Sequence, residues 1–176
     1  MLSRFVFVAL LSCFAFPSVS SCQTVQIETP SSTASGFVCE YGLVTAFHVT
    51  GFRYDYGFPD LDAAIDSTFV SDSSYETGSG SPSYLLDRRG HKVDTSVLDT
   101  DGSQWIVSTR FYSGESGLPV FSDDGKVCGV VLGNRRVDGR WRGRVLIFEA
   151  LRKRARMFPL FRGRILKQRS DALLSD

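Results

Sequence analysis

From residue 83 to residue 148 the chain is a succession of short apolar runs divided by turn signals, and this rhythm limits the fold more than any single residue does. The runs near 83–87, 91–98, 104–110, 118–122, 127–133 and 141–148 are rich in β-branched and aromatic residues and short for helices. Asp87-Arg88-Arg89-Gly90, Asp99-Thr100-Asp101-Gly102, Ser122 to Gly125 and Asn134 to Gly139 supply the reversals between them. Six strands at such close spacing predict a small antiparallel barrel. Sixteen glycines and a hydrophobic content of 43% in 176 residues fit a β-rich chain that can still bury a core. At Glu149 the period changes. Leu151, Ala155 and Phe158 recur at i, i+4 and i+7, which predicts a C-terminal helix over 149–158.

The first half is less regular. Thr24 to Glu28 reads as an entry strand and Pro30 to Ser35 as a loop of small residues. The runs Phe37 to Cys39 and Leu43 to Val44 flank Glu40-Tyr41-Gly42 and predict a hairpin. A further strand begins at Phe58 and runs to about Val70, and Ser71 to Ser83 reads as an exposed Ser/Gly linker. About five strands fit between 24 and 70, so a first barrel there is reduced. The expected division is a leader over 1–21, an N-terminal sub-barrel over 22–75, a six-stranded C-terminal sub-barrel over 76–149, and a helix with a basic tail over 150–176.

The leader follows from Arg4, the apolar run Phe5 to Phe16 and the small residues Ser18-Val19-Ser20-Ser21. A run of about a dozen residues is short for a membrane span and right for a secretory signal, with an uncleaved anchor as the alternative. The chain is therefore expected to be secreted or held at the cell envelope. Val19-Ser20-Ser21-Cys22 also resembles a bacterial lipoprotein cleavage box, which implies a lipid anchor on Cys22. With Cys13 in the leader, Cys22, Cys39 and Cys128 remain, and one pair plus one free or lipidated thiol is the simplest outcome. No metal spacing is visible: the histidines are His48 and His91, and there is no C-x-x-C.

The net charge of +1 hides a strong asymmetry. Residues 135–169 carry thirteen Lys/Arg against Asp138 and Glu149, while residues 1–134 carry a net of −8. The basic stretch reads either as an anionic-membrane or nucleic-acid contact or as a solvated face of the terminal helix, through Arg152, Lys153, Arg154 and Arg156.

Tyr112 to Phe121, Y-S-G-E-S-G-L-P-V-F, sets a serine between glycines just ahead of a hairpin. A serine hydroxyl attacks only when a base takes its proton and donors stabilise the resulting oxyanion. Gly114 allows a backbone turn that points its own N–H and that of Ser116 at one place, and Gly117 allows a strand to pass close behind. The stretch resembles the G-D-S-G-G-P signature of chymotrypsin-like serine proteases at Gly114, Ser116, Gly117 and Pro119. Glu115 replaces the family's aspartate and Leu118 a glycine. Thr45-Ala46-Phe47-His48 is similar to the T-A-A-H segment of the same family and lies upstream in the family's order.

The resemblance implies an all-β, chymotrypsin-like double β-barrel closed by a C-terminal helix, and a serine endopeptidase that needs no cofactor and acts on protein or peptide substrates. It implies His48 as the base, an aspartate to orient it, and Ser116 as nucleophile. Asp62 opens Asp62-Ala63-Ala64-Ile65, which looks like the family's aspartate strand; Asp66, Asp60 and Asp55 are the competitors. The separation of His48 from Asp62 is shorter than the family's. The implied oxyanion hole is the N–H groups of Gly114 and Ser116. Arg110, Leu132 and Gly133 fall where the family's substrate pocket lies, and a basic Arg110 there would favour acidic side chains. No activation end of the I-V-G-G type stands near Cys22 to reach Glu115. Two other readings share these residues: an inactive protease-fold binding module, and an esterase using the same triad.

Overall fold

The computed structural model describes residues 24–29, 32–50, 56–69 and 74–158. The leader, Cys22, Asp55 and the tail 159–176 lie outside them. Two antiparallel sheets follow one another along the chain.

The first sheet holds β1 (Thr24–Thr29), β2 (Ser32–Cys39), β3 (Gly42–Ala46), β4 (Tyr56–Phe58) and β5 (Ala63–Asp66), in the spatial order β1-β2-β3-β5-β4. The expected hairpin turns at Glu40-Tyr41, with Cys39 opposite Gly42. The loop expected over 30–35 is instead the start of β2 from Ser32. Its small residues serve close packing: a Cβ on Gly36 would lie 2.9 Å from the Val44 carbonyl oxygen and 3.0 Å from Ile27 Cδ1. The strand expected from Phe58 to Val70 is broken by a turn at Pro59–Asp62. The two pieces pair with each other, Tyr56 opposite Ile65 and Phe58 opposite Ala63. β5 also pairs with β3, Ala46 opposite Ala63. A short helix, α1 (Phe47–Thr50), continues β3 and carries His48.

The second sheet holds seven strands rather than six. β6 (Tyr84–Leu86), β7 (Lys92–Asp94), β8 (Val97–Thr100), β9 (Gln104–Val107), β10 (Pro119–Phe121), β11 (Val127–Val137) and β12 (Arg140–Ile147) run in the order β7-β6-β10-β11-β12-β9-β8. The run 91–98 divides at Thr95–Ser96. The reversal expected over Asn134–Gly139 contracts to Asp138-Gly139, both at positive φ (48° and 76°), and the freed residues pair Asn134 with Gly143 and Val137 with Arg140. Two left-handed residues in succession make the tight turn that matches strand twist, so the hairpin is longer than the sequence suggests.

The larger core lies between the sheets and under the last helix, α2 (Phe148–Ala155). Phe37, Val44 and Ile65 of the first sheet meet Phe121, Val130, Leu132 and Leu146 of the second, and Phe148, Leu151 and Ala155 close over them. A second cluster, with Leu85, Val107, Phe111, Leu118, Val131 and Val145, fills the second barrel. Cys39 belongs to the first cluster and Cys128 to the second, so these two thiols are not a disulfide pair. Burial, with Glu40 nearby, pushes the Cys39 thiol well above its ordinary range, and burial pushes Cys128 up to about 12.

Candidate active site

The site forms where β3 ends against the turn before β5 and the loop before β10 comes over from the second sheet. The β3–β5 pairing sets Asp62 beside α1: the Phe47 N–H donates to the Asp62 carbonyl at 2.9 Å. Asp62 is not in a strand. It ends the Pro59–Asp62 turn at φ +53°, a left-handed conformation that short polar residues tolerate best, and this aims its carboxylate back at α1. The His48 N–H donates to Asp62 Oδ1 at 3.0 Å, and His48 Nδ1 lies 2.9 Å from both carboxylate oxygens. On the other side of the ring, Nε2 is 3.3 Å from Ser116 Oγ.

Burial pushes the Asp62 carboxyl up. The hydrogen bonds and charge of His48, aided by the Arg144 guanidinium, outweigh it and hold the group below its ordinary value of 3.8. Asp62 therefore stays ionised and its imidazole partner is held by the Nδ1 side, leaving Nε2 for the serine. Of the competitors, the two among the described residues are engaged elsewhere. Asp66 accepts from the N–H and hydroxyl of Thr68, and Asp60 faces Arg154 at 3.4 Å.

Ser116 is held by close approach of the two sheets. The Ser35 N–H donates to the Ser116 carbonyl at 2.9 Å, and the Gly117 N–H to the Val131 carbonyl at 2.7 Å. Gly117 has φ +91°, and a Cβ there would lie 1.8 Å from the Ser35 carbonyl oxygen. Only glycine permits both the conformation and the contact.

The turn before Ser116 closes with Glu115 N–H donating to the Tyr112 carbonyl at 3.2 Å. Gly114, its third residue, has φ +90°, as in a type II turn, whose central peptide is reversed relative to type I. Ser35 Oγ donates to the Gly114 carbonyl at 2.8 Å and so pins one side of this turn. The buried Glu115 carboxylate accepts the Tyr112 N–H at 2.7 Å and pins the other. Among the described residues, the N–H groups of Gly114 and Ser116 enter no hydrogen bond. The hydrogen bond from Tyr112 ties the Glu115 carboxylate into its own turn.

The pocket residues fall differently. Arg110 is exposed and Leu132 is buried at 2% in the core between the sheets. Gly133, at φ +127°, begins the part of β11 that runs past β10. Asn134 clasps the neighbouring segment by accepting the Phe111 N–H (2.9 Å) and donating to the Phe111 carbonyl (2.8 Å). The Phe111 ring packs over Gly143, where a Cβ would lie 2.5 Å from Phe111 Cε2.

Three participants were not singled out by sequence: Ser35, Phe111 and Arg144. Arg144 Nη2 lies 3.3 Å from Asp62 Oδ2, reaching the first sheet from β12. Its signal was an arginine directly ahead of the apolar run Val145-Leu146-Ile147, in a strand whose far half is core. Such a residue needs a partner. The rest of the basic stretch is divided: Arg152 pairs with Glu149 and Arg154 with Asp60, while Arg135, Arg136 and Arg140 are exposed on the β11–β12 hairpin. Among the described residues there is no cluster of three or more His, Cys, Asp and Glu fit for a metal.

The fold is that of the chymotrypsin-like serine proteases. The chain is similar to the inactive form of a serine-to-alanine mutant of Mycobacterium tuberculosis H37Rv Rv3671c, with TM-score 0.55 and 17% identity, over 74% of this chain and 83% of that one. A human pathogenic astrovirus serine protease matches with TM-score 0.52 and 18% identity, over 68% and 85%. The inactive form of the Rv3671c protease matches with TM-score 0.53 and 16% identity, over 73% and 85%. No family model and no curated protein matches the sequence.

Proposed function

We propose that the chain is a serine endopeptidase in which Ser116 attacks a peptide carbonyl. The observation that carries this reading is the continuous chain Asp62–His48–Ser116 set across two sheets, beside a turn with two uncommitted amides. His48 Nε2 takes the Ser116 proton as Oγ bonds to the carbonyl carbon. The Gly114 and Ser116 N–H groups stabilise the oxyanion, and the imidazolium returns the proton to the leaving amine. Water then repeats the sequence on the acyl-enzyme. Each amide donor lowers the barrier by roughly 3–4 kcal/mol.

The substrate lies extended along the free edge of β11 from Gly133 onward. The side chain before the scissile bond is small, because Phe111 occupies the space over Gly143. The buried Glu115 pinned within its own turn leaves the oxyanion site formed without a cleavage step. The leader 1–21 exports the chain. The protein substrates of the similar proteases support a polypeptide substrate.

The test is hydrolysis of an unfolded protein by the full chain, by Ser116→Ala and by His48→Ala. Each variant should lose activity on the order of 10⁶-fold while keeping its fold. Undiminished hydrolysis by folded Ser116→Ala would remove the reading. Ester cleavage without peptide cleavage would move the assignment to an esterase.

A further inference from the structure

We propose that Arg144 is a positioning residue of this site: anchored in the second sheet, it fixes the Asp62 carboxylate and tempers its pull on the His48 proton. The proposal rests on the triad reading above.

The anchorage comes first. Arg144 lies inside the second sheet, opposite Gly133 of β11 and opposite Ile106 of β9. Its backbone is thus fixed on both sides. Asp62, in contrast, stands on a turn of the first sheet at φ +53°. A non-glycine residue in that region persists only where its surroundings hold it. Oδ1 receives the His48 N–H, and Nδ1 faces both oxygens. Both of those partners come from one residue of the same sheet, so they leave the carboxylate free to follow any movement of α1. Arg144, on Oδ2 at 3.3 Å, is the partner from the other sheet. Ser116 stands in the turn that leads into β10 of that other sheet, where the adjacent Gly117 N–H donates to the Val131 carbonyl of β11. The clamp therefore ties the acid and the nucleophile to one scaffold, and His48 lies between them.

Stability alone does not account for an arginine here. Its Nε is buried and has no hydrogen-bond partner. A buried unpaired N–H opposes folding, and a well-packed apolar side chain of similar length often serves stability as well or better than an ion pair. The unpaired Nε–H works against stability, and the contact that the guanidinium does make is to Asp62.

The charge has a definite sign. Among the described residues, the charged groups that act on the Asp62 carboxylate are His48, from α1, and Arg144, from β12. Asp60, in the same turn, is engaged by Arg154 of α2. Asp62 attracts the proton on His48, and the guanidinium partly offsets that attraction. Removing it leaves the imidazole holding its proton more tightly, so the base becomes available only at higher pH. For a half-exposed pair the shift is a few tenths to about one pH unit.

The experiment compares the full chain with Arg144→Met and Arg144→Lys. Histidine ring resonances are followed against pH by NMR, beside kcat, KM and thermal unfolding. The chain has only His48 and His91, and His91 sits against Asp87 on the second sheet and serves as an internal control. In Arg144→Met, the His48 titration midpoint and the acid limb of kcat/KM should both move upward by that amount, with His91 unmoved. Turnover should fall about 10- to 100-fold, the loss expected when a supporting contact of a reactive group is removed. KM should hold and the melting temperature should stay level or rise. Arg144→Lys, which keeps the charge, should restore the midpoint. An unmoved His48 midpoint in folded Arg144→Met overturns the proposal, as does a fall in melting temperature that accounts for all lost activity. If Arg144→Met does not fold, Arg144→Lys with a displaced midpoint overturns it equally. The titration is read without turnover, so failure of the clamp and failure of the protease reading, seen in Ser116→Ala, are separate results.

Discussion

Gly117→Ala tests whether the two sheets meet at the nucleophile as closely as described. The new methyl would begin 1.8 Å from the Ser35 carbonyl oxygen and 2.5 Å from Thr45 Oγ1. Both are fixed atoms of the first sheet, so the sheets must part by an ångström or more. The left-handed φ of +91° adds about 1–2 kcal/mol for any residue with a Cβ. Separation also breaks Ser35 N–H to the Ser116 carbonyl (2.9 Å), the bond that crosses between the sheets, and leaves a donor and an acceptor unpaired. Each buried group left unpaired costs about 1–3 kcal/mol. The total is roughly 3–8 kcal/mol, against a whole-domain stability of about 5–15 kcal/mol. Guanidinium unfolding followed by fluorescence gives the loss directly. Thr45→Val, which removes one hydrogen bond and adds no clash, is the companion and should cost about 1 kcal/mol. A Gly117→Ala protein within 1 kcal/mol of the parent, with activity retained, would refute the close joint and the account of Ser116 built on it.

Asp62→Asn should lower hydrolysis near neutral pH by about 10⁴-fold, because the amide favours the wrong tautomer of His48, whereas Asp66→Asn should change it several-fold at most; steady-state rates of the two variants decide, and the reverse ranking would reassign the acid. Because the folded-state Asp62 carboxyl lies below 3.8, its contribution to stability is present above that pH and is lost as pH falls through the lower folded value. Acid unfolding monitored by circular dichroism should therefore lose this contribution below about pH 4 in the parent, and Asp62→Asn should lack that component of the slope. Phe111→Val should open the space over Gly143 and shift preference toward larger side chains before the scissile bond, read from a peptide series varied at that position. Deleting residues 159–176 should leave hydrolysis largely intact, since every group of the site lies upstream.

The second sheet was legible because its turns are written in Asp, Asn and Gly and its strands are apolar on one or both faces. The structure differs from the expectation in two places there: the run 91–98 divides at Thr95–Ser96, and the Arg135–Arg142 part of the β11–β12 hairpin carries no alternation that marks a strand, yet it pairs to its end. The first sheet was harder. Pro30 to Ser35 looks like a loop by composition, yet a strand begins at Ser32, and Gly36 within it lets β1 and β3 approach. Pro59–Asp62 reads as part of a strand because its neighbours are apolar, but a proline and two aspartates are turn chemistry, and the chain turns there. That turn also accounts for the short His48–Asp62 separation: β5 pairs straight back on β3, so no additional strand pair is needed to bring the carboxylate to the imidazole. His48 and Ser116 were readable as local motifs. Ser35 and Arg144 were less so, because their importance comes from a partner on the other sheet: the charge ahead of Val145-Leu146-Ile147 marks Arg144 as needing a partner but does not say which.

Whether Ser116 is an activated nucleophile is read by reaction with a fluorophosphonate probe followed by intact-mass and peptide-mass analysis. One adduct per chain is expected, located on Ser116, absent in Ser116→Ala, and formed more slowly at acid pH. A folded chain that takes up no probe, or takes it up on another residue at an undiminished rate in Ser116→Ala, would contradict that role for Ser116.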